Sequence, residues 1–327
     1  MNFIPFPQER QDQHVDLVSW RAKVNKRAGD WRDLKVYVAD SCRLKAGIHP
    51  ITKCWYSELH QGDNYALDVE HVRPKNAAEP LSDKDRRDVE RLLGQELLQD
   101  VAPGFNYNWL EFEYRNYRIV TALTNRGGAK HIYFPIFSGT NRLSAGSFPW
   151  TQEEYPIFLD PVNRHDANQL LVKPNGEIIP KAPQTALTQD DVNDLPATWQ
   201  SDAFNYIRAI VTIKMYRLNE TVFIQGRKEI YDAVRDELEN LLYAINAGRN
   251  PENQKLKPII EKTIVKLSNY IMPSAQFSLA ARCSMIDYVP DAQFGQETIQ
   301  IFNTAVRRIL DEVDTLVNNA IIDWTKP

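Results

Sequence analysis

Apolar residues recur at helical spacing over the last third of the chain. In IYDAVRDELENLLYAI (230 to 245), Ile230, Val234, Leu238, Leu241 and Ile245 fall on one face. Phe302, Val306, Ile309, Val313, Leu316 and Ala320 form a second stripe, alternating steps of four and three. Such a stripe suits a bundle packed on itself or an interface for a partner, and periodicity alone does not separate the two. Nearer the N-terminus, HVDLVSWRAKVNKRA (14 to 28) carries Trp20 and Val24 on one side. A further helix is predicted over 82 to 98, capped by Ser82 with Asp85 three residues on, and striped by Val89, Leu92, Leu93 and Leu97.

Between these lie shorter, strand-like runs. Leu67 to Val72 alternates and is stopped by Pro74, which cannot donate to a ladder. NYRIV (116 to 120) reads as a second strand, and Gly127-Gly128 interrupts any helix starting at Thr121. EEYPIFLDP (153 to 161) and LLVKPNGEIIP (170 to 180) also look like strands, the latter turning at Pro174-Asn175-Gly176. Residues 181 to 199 are polar, hold two prolines and read as a linker. The pattern predicts an α+β protein: a module within 1 to 135, a β-containing connecting segment over 136 to 196, and a mainly helical domain over 197 to 327.

Composition narrows the function classes. At 327 residues, 43% hydrophobic and 25% charged, the chain has material for a sizeable core. A net charge of −4 argues against coating nucleic acid unaided, so any such contact must come from a local patch or a partner. Cys42, Cys54 and Cys283 are too few for a disulfide framework or a four-thiolate zinc site. The start has no signal pattern and no apolar run reaches membrane-spanning length, so the expectation is a cytoplasmic protein without a membrane partner. No phosphate-cradling glycine loop occurs, which assigns ATP binding to another subunit.

The densest chemistry is KCWYSELHQGDNYALDVEHVRPKN (53 to 76). Hydrolysing a phosphodiester at one metal ion needs a base for water and a divalent cation for the developing charge. A carboxylate and an amide oxygen suit a hard cation, and a neutral imidazole suits the base. Glu70 and His71 point to opposite faces of a strand, so they share a site only where the strand ends or twists, as Pro74 makes it do.

Asp68-Val69-Glu70-His71-Val72-Arg73-Pro74-Lys75 resembles the first motif of HNH endonucleases, and Asn116 and Asn125, nine apart, match members ending in Asn. The lead-in KCWYSE, then EHVRPK, the YRNYR stretch, Phe134-Pro135, YPIFLDP, the NGEI turn and Arg217-Leu218-Asn219 are together similar to the Septu/retron-associated (PtuB-like) family of anti-phage nucleases, over roughly residues 50 to 220. The resemblance implies a ββα-metal core and a metal-dependent endonuclease acting on DNA. It assigns Glu70 and Asn125 to one Mg²⁺ or Mn²⁺, His71 to the attacking water, and Asn116 to orienting the His71 loop. It also implies an ABC-type ATPase subunit (PtuA-like) as partner. An RNA-directed nuclease of this fold, or an inactive subunit that only binds nucleic acid or the ATPase, are the alternatives.

Relatives of that kind hold a structural zinc with two Cys-x-x-Cys pairs. Here the corresponding positions are Cys54, Ser57, Thr121 and Thr124, and three hydroxyls are poor zinc ligands, so no structural zinc is expected. Packing by Trp55, Tyr56, Tyr114 and Tyr117 is expected to hold the scaffold instead. Arg73, Lys75, Arg115, Arg118, Arg126 and Lys130 flank the motifs and are read as phosphate contacts that position a backbone without reading sequence. The competing reading pairs several of them with Glu111, Glu113 or neighbouring acids.

Overall fold

The computed structural model describes residues 53–60, 67–100, 104–111, 116–144, 154–249, 251–272 and 275–319. The expected helix over 14 to 28, Cys42, Tyr114, Arg115 and Ala320 lie outside them. The protein is α+β, with three small two-stranded sheets among the described residues and a helical C-terminal half. In chain order the strands and first helices are β1 (Leu67–His71), β2 (Ala77–Ala78), α1 (Asp83–Leu93), β3 (Phe105–Asn106), β4 (Tyr117–Thr121), α2 (Ala122–Asn125), α3 (Arg164–Ala167), β5 (Leu170–Val172) and β6 (Ile178–Pro180). There follow α4 (Gln189–Asn193), α5 (Leu195–Thr198), α6 (Asp202–Met215), α7 (Thr221–Gly248), α8 (Lys257–Ile271), α9 (Ser278–Asp287) and α10 (Gln296–Asn319).

β1 and β4 pair antiparallel, with Glu70 opposite Arg118 and His71 opposite Tyr117. The single helical turn α2 follows β4 directly, giving a strand–strand–helix order. Thr121 caps α2, its Oγ1 accepting the Thr124 amide at 3.4 Å, and the turn ends before Gly127 and Gly128, both left-handed.

Several expectations shift for local reasons. α1 starts where Ser82 accepts the Asp85 amide at 3.2 Å, but it stops at Leu93 because Gly94 adopts φ +69 and closes onto the Glu90 carbonyl. The segment around YPIFLDP is no strand. Pro156 cannot donate to a ladder, and Tyr155, Ile157, Phe158 and Leu159 are all buried rather than alternating, so it threads the core with a lone bridge to Ile136. The hairpin β5–β6 turns at Gly176, where φ is +85 and a Cβ would stand 2.1 Å from the Ile224 carbonyl oxygen. The stretch read as a linker contains α4 and α5 and buries Ala182 and Leu195.

Burial does not follow the expected boundaries at 135 and 196. One core runs from Cys54 to Cys283, combining β1, β4, the 155–159 segment, α6 and the start of α7 and α9. The second gathers Val234, Leu238, Leu241 and Ile245 of α7 with Leu267, Met285, Phe302, Val306, Ile309 and Val313. Leu316 completes the α10 stripe in sequence yet is exposed. Residues far apart also tie the halves: buried Lys53 donates to the Ala275 carbonyl at 2.9 Å and to Ser278 Oγ at 3.1 Å. Glu58 then accepts the Leu279 amide at 3.0 Å, capping α9. Among the described residues, no helix is long and apolar enough to cross a membrane.

Candidate active site

At the C-terminal end of β1 the chain turns sharply, and three groups fix that turn. Asn116, wholly buried just before β4, accepts the Arg73 amide through Oδ1 at 2.9 Å and donates to the Arg73 carbonyl through Nδ2 at 2.8 Å. Its own carbonyl accepts the Val72 amide at 2.9 Å. Lys130 Nζ donates to the carbonyls of His71 and Val72, each at 2.8 Å.

The His71 ring is held separately. Nε2 lies 2.9 Å from the Glu111 carbonyl, which can only accept, so the neutral ring carries its proton on Nε2 and its lone pair on Nδ1. Tyr117 packs edge-on with centroids 5.0 Å apart, and its hydroxyl donates to the same carbonyl at 2.6 Å. Burial pushes the imidazole down to about 4, with the Lys75 and Lys130 charges acting in the same direction against Glu111. It is therefore neutral at physiological pH.

Glu70 leaves the opposite face of β1 and is 3% exposed. Its Oε1 lies 2.8 Å from Lys130 Nζ and accepts the Tyr216 hydroxyl at 3.1 Å. Tyr216 stacks on Tyr56, centroids 3.7 Å apart. Burial raises the Glu70 carboxyl and lowers the Lys130 ammonium, each opposed by the partner's charge. Glu70 Oε2 is buried without a hydrogen-bond partner among the described residues.

Asn125 ends α2 and donates through Nδ2 to Asp68 Oδ2 at 3.2 Å. Asp68 shares its strand face with Glu70 and carries a bidentate pair from Arg126, at 2.8 and 2.6 Å. The structure thus joins His71 and Asn116 at one strand end, Glu70 beneath them through Lys130, and Asn125 further back beside Asp68. Among the described residues, no group of three or more His, Cys, Asp and Glu side chains could hold a metal.

Cys54, Thr121 and Thr124, three of the four positions weighed above as zinc ligands, do meet. Cys54 Sγ lies 3.6 Å from Thr124 Oγ1, which lies 3.2 Å from Thr121 Oγ1, and Cys54 accepts the Ser57 amide at 3.3 Å. Thiolates about 2.3 Å from a tetrahedral zinc stand roughly 3.8 Å apart, close to the first of these separations. Here hydrogen bonds join the three side chains. Trp55, Tyr56 and Tyr117 are all fully buried in the first core.

Three of the cations read as phosphate contacts are corrected by burial. Arg73 pairs with Glu154 at 2.6 Å, Arg118 with Asp160 at 2.7 Å, and Lys130 with Glu70, all at 6% exposure or less. Desolvated and paired, they hold backbone and acids rather than face a nucleic-acid strand. Lys75, paired with Glu111 at 3.1 Å, and Arg126 remain accessible.

Sequence reasoning missed Tyr216 and Glu111. Tyr216 lies 146 positions from Glu70, and Glu111 acts through a main-chain oxygen that any residue supplies, so neither leaves a local signal. No family model matches the chain, and neither does any curated protein or any solved structure.

Proposed function

We propose that this protein is a metal-dependent HNH-type endonuclease that cleaves DNA, working as the nuclease subunit of an anti-phage complex with an ABC-type ATPase. The observation that carries the reading is the strand end at His71: a neutral imidazole whose tautomer is set by the Glu111 carbonyl, on a turn clamped by Asn116 from the paired strand, with a helical turn following that strand. The meeting of Cys54 with Thr121 and Thr124, positions the resemblance aligns with zinc ligands, is a second observation in its support.

Glu70 and Asn125 are the residues that would hold a hard cation. The unpartnered Glu70 Oε2 offers a desolvated anionic oxygen, and the Asn125 amide supplies a neutral one when its oxygen rather than its nitrogen is presented. A Mg²⁺ or Mn²⁺ held there would supply charge stabilisation at the phosphate and acidity to a water. His71 would accept a proton at Nδ1, the ring nitrogen that the Glu111 carbonyl leaves unprotonated. Asn116 keeps the turn in register, and Glu111 keeps Nε2 protonated so that Nδ1 retains its lone pair. Lys75 and Arg126 are the accessible cations for the phosphate backbone.

Replacing His71 with Ala tests the reading. Cleavage of plasmid under Mg²⁺, with and without the ATPase, is expected to fall by about 10²- to 10⁴-fold while ATPase association is unchanged. An undiminished variant moves the base elsewhere. Burial of Arg73, Arg118 and Lys130 favours a second reading, a subunit that binds without cutting. Mn²⁺ titration with Asn125→Ala as control separates the two: no Mn²⁺ binding by the wild type selects the second.

A further inference from the structure

We infer that Lys130 is a positioning residue for His71: its buried ammonium ties the main-chain oxygens of His71 and Val72 to the Glu70 carboxylate and so fixes where the imidazole stands. The inference rests on the reading of His71 as the base.

An ammonium has three hydrogens to donate. Lys130 Nζ has three oxygen partners, Glu70 Oε1, His71 O and Val72 O, each at 2.8 Å, and the residue is 0% exposed. All three donors are engaged, which leaves none for a substrate phosphate. Two acceptors are consecutive carbonyls beginning at His71 itself. The next carbonyl, that of Arg73, is taken by Asn116 Nδ2. Three successive main-chain oxygens are thus held by side chains from elsewhere in the fold.

The anchor is itself anchored. Glu70 Oε1, which receives Lys130, also receives Tyr216, the residue that closes α6, and Tyr216 lies flat on Tyr56. Moving Lys130 therefore requires unpairing a desolvated carboxylate, a costly step. The placement of His71 is set by groups on β1, the loop after α2, and α6.

The test uses the full chain with Lys130→Met, near in length but uncharged, and Lys130→Arg, which keeps charge and donors. The first readout is the imidazole ¹H–¹⁵N spectrum of ¹⁵N-histidine-labelled protein, with His71 assigned by His71→Gln. Wild type is expected to show a single Nε2-protonated tautomer for His71, and Lys130→Met to lose it. The second is cleavage kinetics, where Lys130→Met is expected to lower kcat by about 10²-fold at unchanged KM, the cost of misplacing a reacting group by about 1 Å. Lys130→Arg is expected to restore part of both.

A Lys130→Met protein with the wild-type tautomer signal overturns the inference, and so does one whose KM rises at unchanged kcat. Should the single variant fail to fold because Glu70 is left unpaired, Lys130→Met with Glu70→Gln buries no lone charge. Its His71 signal is expected to be lost, and its persistence again overturns the inference. A wild type that cleaves no nucleic acid defeats the proposed nuclease, yet the tautomer signal still decides the role of Lys130.

Discussion

The two cores of this molecule are built on different principles. Among the described residues, the helices of the second bury hydroxyls such as Thr263, Ser284 and Thr298 beside the apolar cluster but no charged side chain from Val234 onward. The first is laced with desolvated charge: Lys53, Glu58, Glu70, Arg118, Lys130, Glu154, Asp166, Arg208 and Arg227 are all buried. Apolar packing is non-directional and tolerates repacking, whereas each buried ion needs a particular partner in a particular direction. The helical core gains cohesion, and the first core fixes backbone. Asn116, Lys130 and Arg118 each end on main-chain oxygens next to the candidate site.

The largest test of that contrast strands a charge in the first core. Arg208 and Asp166 form a bidentate pair at 2.7 and 2.6 Å, both about 2% exposed. Asp166→Ala is expected to cost about 3–5 kcal/mol in denaturant unfolding, because it leaves the guanidinium without its counter-ion. A loss below 1 kcal/mol would refute the distinction between the cores.

In the second core, Leu238→Ala removes a fully buried side chain and is expected to cost about 2–5 kcal/mol through a cavity that the surrounding helices can partly close. The expected difference lies in character: the Leu238 variant keeps the proposed nuclease activity at temperatures where it is folded, whereas the Asp166 variant loses that activity before it loses helix content. Activity and circular dichroism, followed on the same samples, decide this.

A smaller effect follows from His71. Its folded value of about 4 lies below the ordinary 6.5. Between those values the unfolded chain binds a proton that the folded chain refuses, so stability falls as pH drops from about 6.5 towards 4. His71→Gln is expected to flatten that slope, and an unchanged slope in urea midpoints measured across the window would show that the ring is not the group responsible. Smallest of all, Glu312→Ala breaks an exposed pair with Arg308 on α10 and is expected to change stability by less than about 0.5 kcal/mol.

The same contrast explains what was legible in the sequence. The stripes of α7 and α10, the Ser82 cap, the strand at Leu67 and the turn at Gly176 are local, and local pattern revealed them. The alignment of Cys54 with Thr121 and Thr124 was also visible, through resemblance rather than periodicity. Charge pairing was hidden. Arg73 finds Glu154 81 positions away and Arg208 finds Asp166 42 away, and nothing in an isolated arginine says whether it will face water or an acid. Reading Arg73, Arg118 and Lys130 as surface cations failed for that reason. The 155–159 segment misled differently, since an unbroken apolar run fits a buried strand and a buried irregular thread equally well.

One continuous rod runs through both cores. α7 spans 28 residues, roughly 42 Å at helical rise, with Phe223, Arg227 and Tyr231 set in or beside the charged half and Val234 to Ile245 in the oily half. Neither half can melt fully without fraying the other's share of that rod, which couples their unfolding. A cut anywhere along its middle would release two fragments, each baring a sticky seam.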